Sequence, residues 1–174
     1  MKDLKEYVRS IPDFPKEGIV FRDITTVIQS PEGFKLAIDE LQKCLGDTQF
    51  DVIAACEARG FIFAGPLAYN KNRGIALVRK KGKLPYETIE TSYDLEYGSA
   101  TVEMHTDSIK PGDKVVLIDD LIATGGTLKA AAELVERLGG EVVKILAVIE
   151  LPDLNGRDVL RKYDVETVVS FRGE

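Results

Sequence analysis

Residues 115–127, VVLIDDLIATGGT, bring together the side chains best placed to do chemistry. Four apolar residues lead into two adjacent carboxylates, Asp119 and Asp120. Ala123, Thr124, Gly125, Gly126 and Thr127 then open a helical pattern. Glycines let a backbone take positive φ and let a ligand lie close against it. The free N–H groups of a helix start, joined by two threonine hydroxyls, make a site for a phosphate. The carboxylates just upstream would repel a bare anion. Both features suit one ligand with a phosphate at one end and hydroxyls beside it. A ribose 5-phosphate is such a ligand, with its phosphate on residues 123–127 and its diol donating to Asp119 and Asp120. An ordinary strand–turn–helix with a Thr cap is the competing reading, and the paired acids weigh against it.

Two further stretches are rich in cations. CEARG places Arg59 directly after the apolar run FDVIAAC, and an arginine can grip a phosphate through two parallel hydrogen bonds. RKKGK, residues 79–83, sets four cations in five positions. Alone, such a run reads as a solvated turn. Other chemistries find little support. GxGxxG and GxxxxGK[ST] are both absent, which removes the common dinucleotide and P-loop signatures. His105, the one histidine, falls in the alternating ATVEMHTD and is accounted for by a strand position. Cys44 and Cys56 form no CxxC pair and read as small buried residues.

The elements that must position these groups alternate between strand and helix. SPEGFKLAIDELQKCLG has a helical stripe, with Ser30 as cap, Pro31 just inside and Gly46 after its end. GFIFAGPLAYN reads as a helix that Pro66 kinks or restarts. GTLKAAAELVERLGG is a third helix. FDVIAAC, GIALVRK, KVVLID, EVVKILAVIEL and ETVVSF are apolar strands, and GIVFRDITTVI is β-branched without a helical stripe. Continuously apolar strands between helices predict an α/β fold, a mainly parallel sheet flanked by helices on both faces. Its ligands belong at the carboxyl ends of the strands, where residues 115–118 would deliver the two acids. Successive strand residues point oppositely, so both acids reach one sugar only if the chain bends after Ile118. PYETIETSYDLEYG, 14 residues without a core pattern, reads as a long loop of the kind that forms lids.

Composition narrows the class. The 174 residues are the size of one domain, and the formal charge of −6 disfavours a nucleic-acid partner. No apolar run nears the ~20 residues of a membrane span. The charged start MKDLKEYVRS is unlike a secretory signal, so the expected compartment is cytoplasmic.

VVLIDDLIATGGT resembles the phosphoribosyl diphosphate (PRPP) signature of type I phosphoribosyltransferases. DFPKEGIVFRDIT, EARGFIF, RKKGKLP and SYDLEYG, in that order, resemble adenine phosphoribosyltransferases. The resemblance implies the type I phosphoribosyltransferase fold in a single domain, with a small N-terminal hood (about residues 1–30) and a flexible lid (about 85–98). It implies the reaction of adenine with PRPP to give AMP and pyrophosphate in purine salvage, with Mg²⁺, in a homodimer. Ala58, Arg59 and Gly60 become the pyrophosphate loop, in which a non-proline cis peptide is expected. Arg79 and Lys83 face pyrophosphate, partly across the dimer interface, while Lys80 and Lys81 stay exposed. Val20, Phe21 and Arg22 surround adenine, with Phe21 as an aromatic face. On residue type alone, Phe21 could equally be a buried strand residue.

Glu96, beside Tyr97 at the closing end of the lid, is the implied catalytic group for proton exchange with the purine, with Glu87 and Glu90 as rivals. Mg²⁺ would be held mainly by PRPP and water, which makes Asp119 and Asp120 ribose contacts rather than a metal cage. Two alternatives stand beside this reading. One is a non-catalytic PRPP-sensing regulator that binds nucleic acid, which would need a basic surface or an added DNA-binding domain. The other is an enzyme of the same class acting on a different 6-aminopurine or on a 6-oxopurine.

Overall fold

The structure is a computed structural model that describes residues 3–95 and 98–173. A single 3₁₀ turn, Leu4–Tyr7, precedes a two-stranded antiparallel sheet of β1 (Arg9–Pro12) and β2 (Val20–Asp23). The short helix α1 (Thr25–Gln29) follows, and then α2 (Pro31–Leu45). Next come β3 (Val52–Cys56), α3 (Arg59–Lys71) and β4 (Gly74–Lys80). The hairpin of β5 (Thr88–Asp94) and β6 (Ser99–His105) leads to β7 (Lys114–Ile122) and α4 (Gly126–Arg137). β8 (Glu141–Glu150), α5 (Gly156–Val159) and β9 (Val165–Ser170) complete the chain.

The main sheet has the order β5-β6-β4-β3-β7-β8-β9. Its five strands from β4 to β9 are parallel, and the hairpin adds two antiparallel strands at one edge. Period-two side chains explain the layers. Ile53, Val116, Ile118, Leu146 and Val148 face one way, under Ile38, Leu41, Phe63 and Leu67 of α2 and α3. Their neighbours Ala54, Leu117, Ile145 and Ala147 face the other way, under Leu128, Ala131, Leu134 and Val135 of α4. Strands covered on both faces have no use for polar alternation, hence the continuous apolar runs. The predicted mainly parallel sheet between helices is the fold observed.

Local signals largely behave as their chemistry demands. Ser30 Oγ accepts the N–H of Gly33 at 3.0 Å, Pro31 opens α2, and Gly46 closes it at φ 55°. Three expectations fail. α3 runs unbroken from Arg59 to Lys71 with Pro66 inside it, because packing on the sheet outweighs one lost helical bond. The β-branched stretch after Asp23 turns into α1. Burying Ile24 and Val27 overrides propensities worth only tenths of a kcal/mol, and Asp23 Oδ1 caps the turn by accepting from Thr25 N at 2.9 Å. The stretch expected to be a loop, residues 85–98, is largely strand. Ile89, Thr91 and Tyr93 alternate inwards there, while Glu90, Ser92 and Asp94 face solvent.

Candidate active site

The carboxyl ends of β3, β4 and β7 bound a cavity of about 640 Å³. Ala58 and Arg59, Arg79 and Lys83, Asp119 and Asp120, and all of residues 123–127 line it. Gly60 lies just behind, against β7. A Cβ there would stand 3.2 Å from the Ile118 carbonyl oxygen and 3.3 Å from Asp119 Oδ1. One open space thus joins the acidic pair, the bare loop and the basic turn, within one chain.

The acids come from extended backbone. β7 continues to Ile122, whereas β3 pairs with it only as far as Ile118. β7 stays extended through both residues, and both line the cavity. Asp119 and Asp120 are 8% and 6% exposed. Asp120 Oδ2 accepts from Arg59 Nε, and the Asp120 N–H donates to Asp119 Oδ1 at 2.8 Å. Burial, and then the charge of Asp120, push the Asp119 carboxyl well above the usual range. Burial also raises the thiol of Cys56 beneath the pair, which keeps it protonated and inert.

Two further acids, neither singled out from the sequence, hold the cationic side. The Glu57–Ala58 peptide is cis. Glu57 Oε2 accepts from Arg79 Nε at 3.0 Å, and its Oε1 accepts from Lys80 N at 2.6 Å. Glu103, 4% exposed on β6, accepts from the backbone N–H groups of Lys83 and Leu84 at 3.1 and 2.9 Å. Burial alone would raise its carboxyl, but these turn N–H groups outweigh burial and lower it. Lys81 is tied to Glu90 at 2.9 Å, away from the cavity. Lys80 lines the cavity together with Arg79 and Lys83. Among the described residues the Lys83 ammonium has no acidic partner, so its charge is left for a ligand.

Gly125, at φ 83°, caps the start of α4 in a conformation that L side chains rarely adopt. Tyr93 was absent from the sequence expectations. Its hydroxyl pairs with Thr127 Oγ1 at 2.9 Å, and its ring lies flat enough on Gly126 that a Cβ there would meet Cδ2 at 3.0 Å. The signal for it was the period-two pattern of β5.

Val20, Phe21 and Arg22 are not in the cavity wall. They form β2 of the small two-stranded sheet. Phe21 packs edge-on to Phe14 at 5.3 Å, and the Arg22 guanidinium sits 4.5 Å above the Phe171 ring. Asp23, the next residue, contributes to the field at Arg59, which brings this end of β2 towards the acidic pair. Glu96 and Tyr97 lie outside the described residues.

A doubly wound sheet with a phosphate-type loop and paired acids on its carboxyl edge defines a class of sugar-phosphate-binding proteins. The profile of the phosphoribosyl transferase domain matches residues 24–171. An adenine phosphoribosyltransferase of Agathobacter rectalis is 63% identical over 174 residues, 100% of both chains. The crystal structure of the enzyme of that name from Thermoanaerobacter pseudethanolicus superposes with a TM-score of 0.93 at 49% identity, covering 97% of this chain and 98% of that one. The Saccharomyces cerevisiae enzyme, solved with D-2,5-dideoxy-2,5-imino-altritol 1,6-bisphosphate and adenine, gives 0.89 at 38% identity, covering 95% and 96%. The chain belongs to the phosphoribosyl transferase domain family and, within it, to the adenine phosphoribosyltransferases.

The state of Asp119 leads to a stability prediction. A carboxyl whose pKa is higher in the folded than in the unfolded protein (about 3.9) holds a proton that unfolding releases. Its penalty is absent below the unfolded value and grows as pH rises through the folded one. Asp119→Asn should therefore melt higher than the parent at pH 8, with the gain shrinking towards pH 4, while its affinity for PRPP falls. Thermal melts across this range check it, and a variant that melts lower at pH 8 would refute the account.

Proposed function

We propose that the protein transfers the phosphoribosyl group of PRPP to adenine, giving AMP and pyrophosphate in purine salvage. The observation that supports this best is the single cavity in which a bare helix start, two acids and four cations face one another. A substrate with phosphate at one end, a diol in the middle and diphosphate at the other matches that order of charges. The 5-phosphate lies on Ala123–Thr127 and takes the N–H groups at the start of α4. The ribose hydroxyls donate to Asp119 and Asp120. The diphosphate meets Ala58, Arg59 and Gly60 on one side and Arg79 and Lys83 on the other.

In the reaction a purine ring nitrogen bonds to C1 of the ribose as the C1–O bond to pyrophosphate breaks. The sugar becomes cationic in between. Fixed cations around the departing pyrophosphate and anions beneath the sugar are stabilising at that moment, and each such contact is worth roughly 10²–10³ in rate. Glu57 and Glu103 hold the basic turn in advance, so little reorganisation remains. Adenine lies against Phe21, read by the backbone of Val20 and Arg22. The Arg22 side chain is already engaged with Ser10 Oγ at 2.6 Å and with Phe171. β2 pairs only with β1 among the described residues, which leaves its other edge for a base. Glu96, with Tyr97 beside it on the lid, exchanges a proton with the purine.

Mg²⁺ fits this chemistry as a companion of the substrate. Among the described residues no three acidic, His or Cys groups gather to hold a metal, and burial holds the Asp119 carboxyl well above its usual range. One or two carboxylates with substrate and water oxygens suffice for Mg²⁺. When bound, the ion would neutralise charge on the leaving pyrophosphate, with Asp119 and Asp120 as the protein groups nearest to it.

A second copy of the chain completes the reading. Ile62 and Tyr69 on α3 and Ile75 and Leu77 on β4 are exposed large apolar residues on neighbouring elements. A homodimer through this face would cover them. Two free cysteines suit a reducing, cytoplasmic compartment. No helix of the described residues is long and apolar enough to cross a membrane.

The decisive assay offers adenine, hypoxanthine and guanine in parallel with PRPP and Mg²⁺ and follows nucleotide formation. Adenine alone should turn over, and Glu96→Gln should lower kcat by roughly 10²–10⁴. Product from a 6-oxopurine at a comparable rate would overturn the base assignment. PRPP binding without turnover of any base would overturn the enzyme reading. Sedimentation should find a dimer that Leu77→Glu converts to monomer, and an unchanged dimer would place the interface elsewhere.

A further inference from the structure

The loop that opens α4 rests on a segment to which sequence reasoning gave no role, residues 151–160. Leu151 N donates to the Ile122 carbonyl at 2.9 Å, which ties the segment to the end of β7. A 3₁₀ turn, Pro152–Leu154, and Asn155 at φ 58° then bring Gly156 back against residues 122–125. A Cβ on Gly156 would stand 2.5 Å from the Ala123 carbonyl oxygen, 2.7 Å from Ile122 Cγ2 and 3.3 Å from Gly125 N. The contact is reciprocal, since a Cβ on Gly125 would stand 2.8 Å from the Gly156 carbonyl oxygen. Two stretches of backbone meet here with no room for a side chain between them. No rotamer can relieve such a clash, so any larger residue must displace the loop.

Arg157 fixes this support in place. Its Nε and one terminal nitrogen donate to Glu150 Oε1 and Oε2 at 2.7 and 2.9 Å, and the other donates to the Val165 carbonyl at 2.8 Å. Glu150, 5% exposed at the end of β8, also accepts from Thr167 Oγ1 at 2.9 Å. Beyond it Leu160 is buried among the residues under α4. The segment is thus held at β7, at the ends of β8 and β9, and in the core.

We propose that Gly156 and Arg157 are positioning residues for the 5-phosphate site, setting the curvature of residues 123–125 from behind. The proposal rests on the reading that residues 123–127 hold the 5-phosphate. Neither residue lines the cavity, so they act on the ligand only through the loop. Donors at a helix start hold a phosphate well only while they converge on it. Misplacement by about an ångström costs on the order of 10²-fold.

The test compares two ligands that share the cavity but not the loop. Ribose 5-phosphate and pyrophosphate are titrated separately by calorimetry into the parent, Gly156→Ala, Arg157→Gln, Arg157→Lys and Thr124→Val proteins. Gly156→Ala and Arg157→Gln should weaken ribose 5-phosphate by roughly 10- to 100-fold while leaving pyrophosphate within about twofold. Arg157→Lys, which keeps charge but not the fork, should recover part of the loss. Equal weakening of both ligands would reduce the pair to general scaffolding and overturn the proposal. Normal ribose 5-phosphate binding in both variants, with loss in Thr124→Val, would overturn it and leave the phosphate loop standing. Normal binding in Thr124→Val as well would remove the phosphate loop itself. Should Gly156→Ala fail to fold, Arg157→Gln decides by the same comparison.

Discussion

Two carboxyls buried side by side are the constraint on which this molecule turns. Asp119 and Asp120 lie towards the carboxyl end of β7 almost out of reach of water, and among the described residues their one guanidinium partner is Arg59. Burial and mutual repulsion both oppose ionisation of Asp119. A chain selected for stability alone would place an amide or an apolar residue there. A hydrogen-bond donor or a cation brought beside the pair would offset that opposition. Strain of this electrostatic kind is what a preorganised site looks like before its ligand arrives.

The rest of the cavity follows from keeping opposite charges close without letting them cancel. Arg79 is engaged by Glu57 and Lys81 by Glu90, while Glu103 takes only the backbone of the basic turn. Acidic side chains thus shape the cationic wall through its N–H groups, and among the described residues none of them takes the Lys83 ammonium. This is how a chain of net charge −6 presents a local positive field to an anionic substrate. The overall charge reports on bulk partners such as nucleic acid, and a few placed donors decide the ligand.

What could be read in advance divides along physical lines. Helix α2 was legible because its cap, its first-turn proline and its closing glycine are local devices whose energies do not depend on distant contacts. The apolar strands were legible because burial on both faces leaves a compositional mark. Arg59 and the acidic pair were placed on one edge by topology alone, since parallel strands end on the same side. α1 and β5 were missed because tertiary burial decided them. Tyr93 is held by Thr127, 34 residues along the chain, and Val27 by burial in a shared core, neither of which a local pattern displays. Glu57, Glu103 and Gly156 were invisible for a related reason. A carboxylate that accepts backbone N–H groups, or a glycine pressed on another loop, has no sequence signature until the fold supplies its neighbour.

That dependence extends to the segment expected to act as a lid. β5 is bound along its inner face to α4. Arg137 donates to the Glu90 carbonyl at 2.7 Å, Thr91 reaches Glu133 at 3.4 Å, and Tyr93 meets Thr127. The last contact matters most, because Thr127 lines the cavity. A ligand oxygen that takes the Thr127 hydroxyl competes with Tyr93 or recruits it, and either way the end of β5 responds to occupancy of the loop. These three contacts tie Thr88–Asp94 to α4. The loop of residues 123–127, braced by Gly156 on one side and touched by Tyr93 on the other, is thereby coupled both to the segment behind it and to the end of β5.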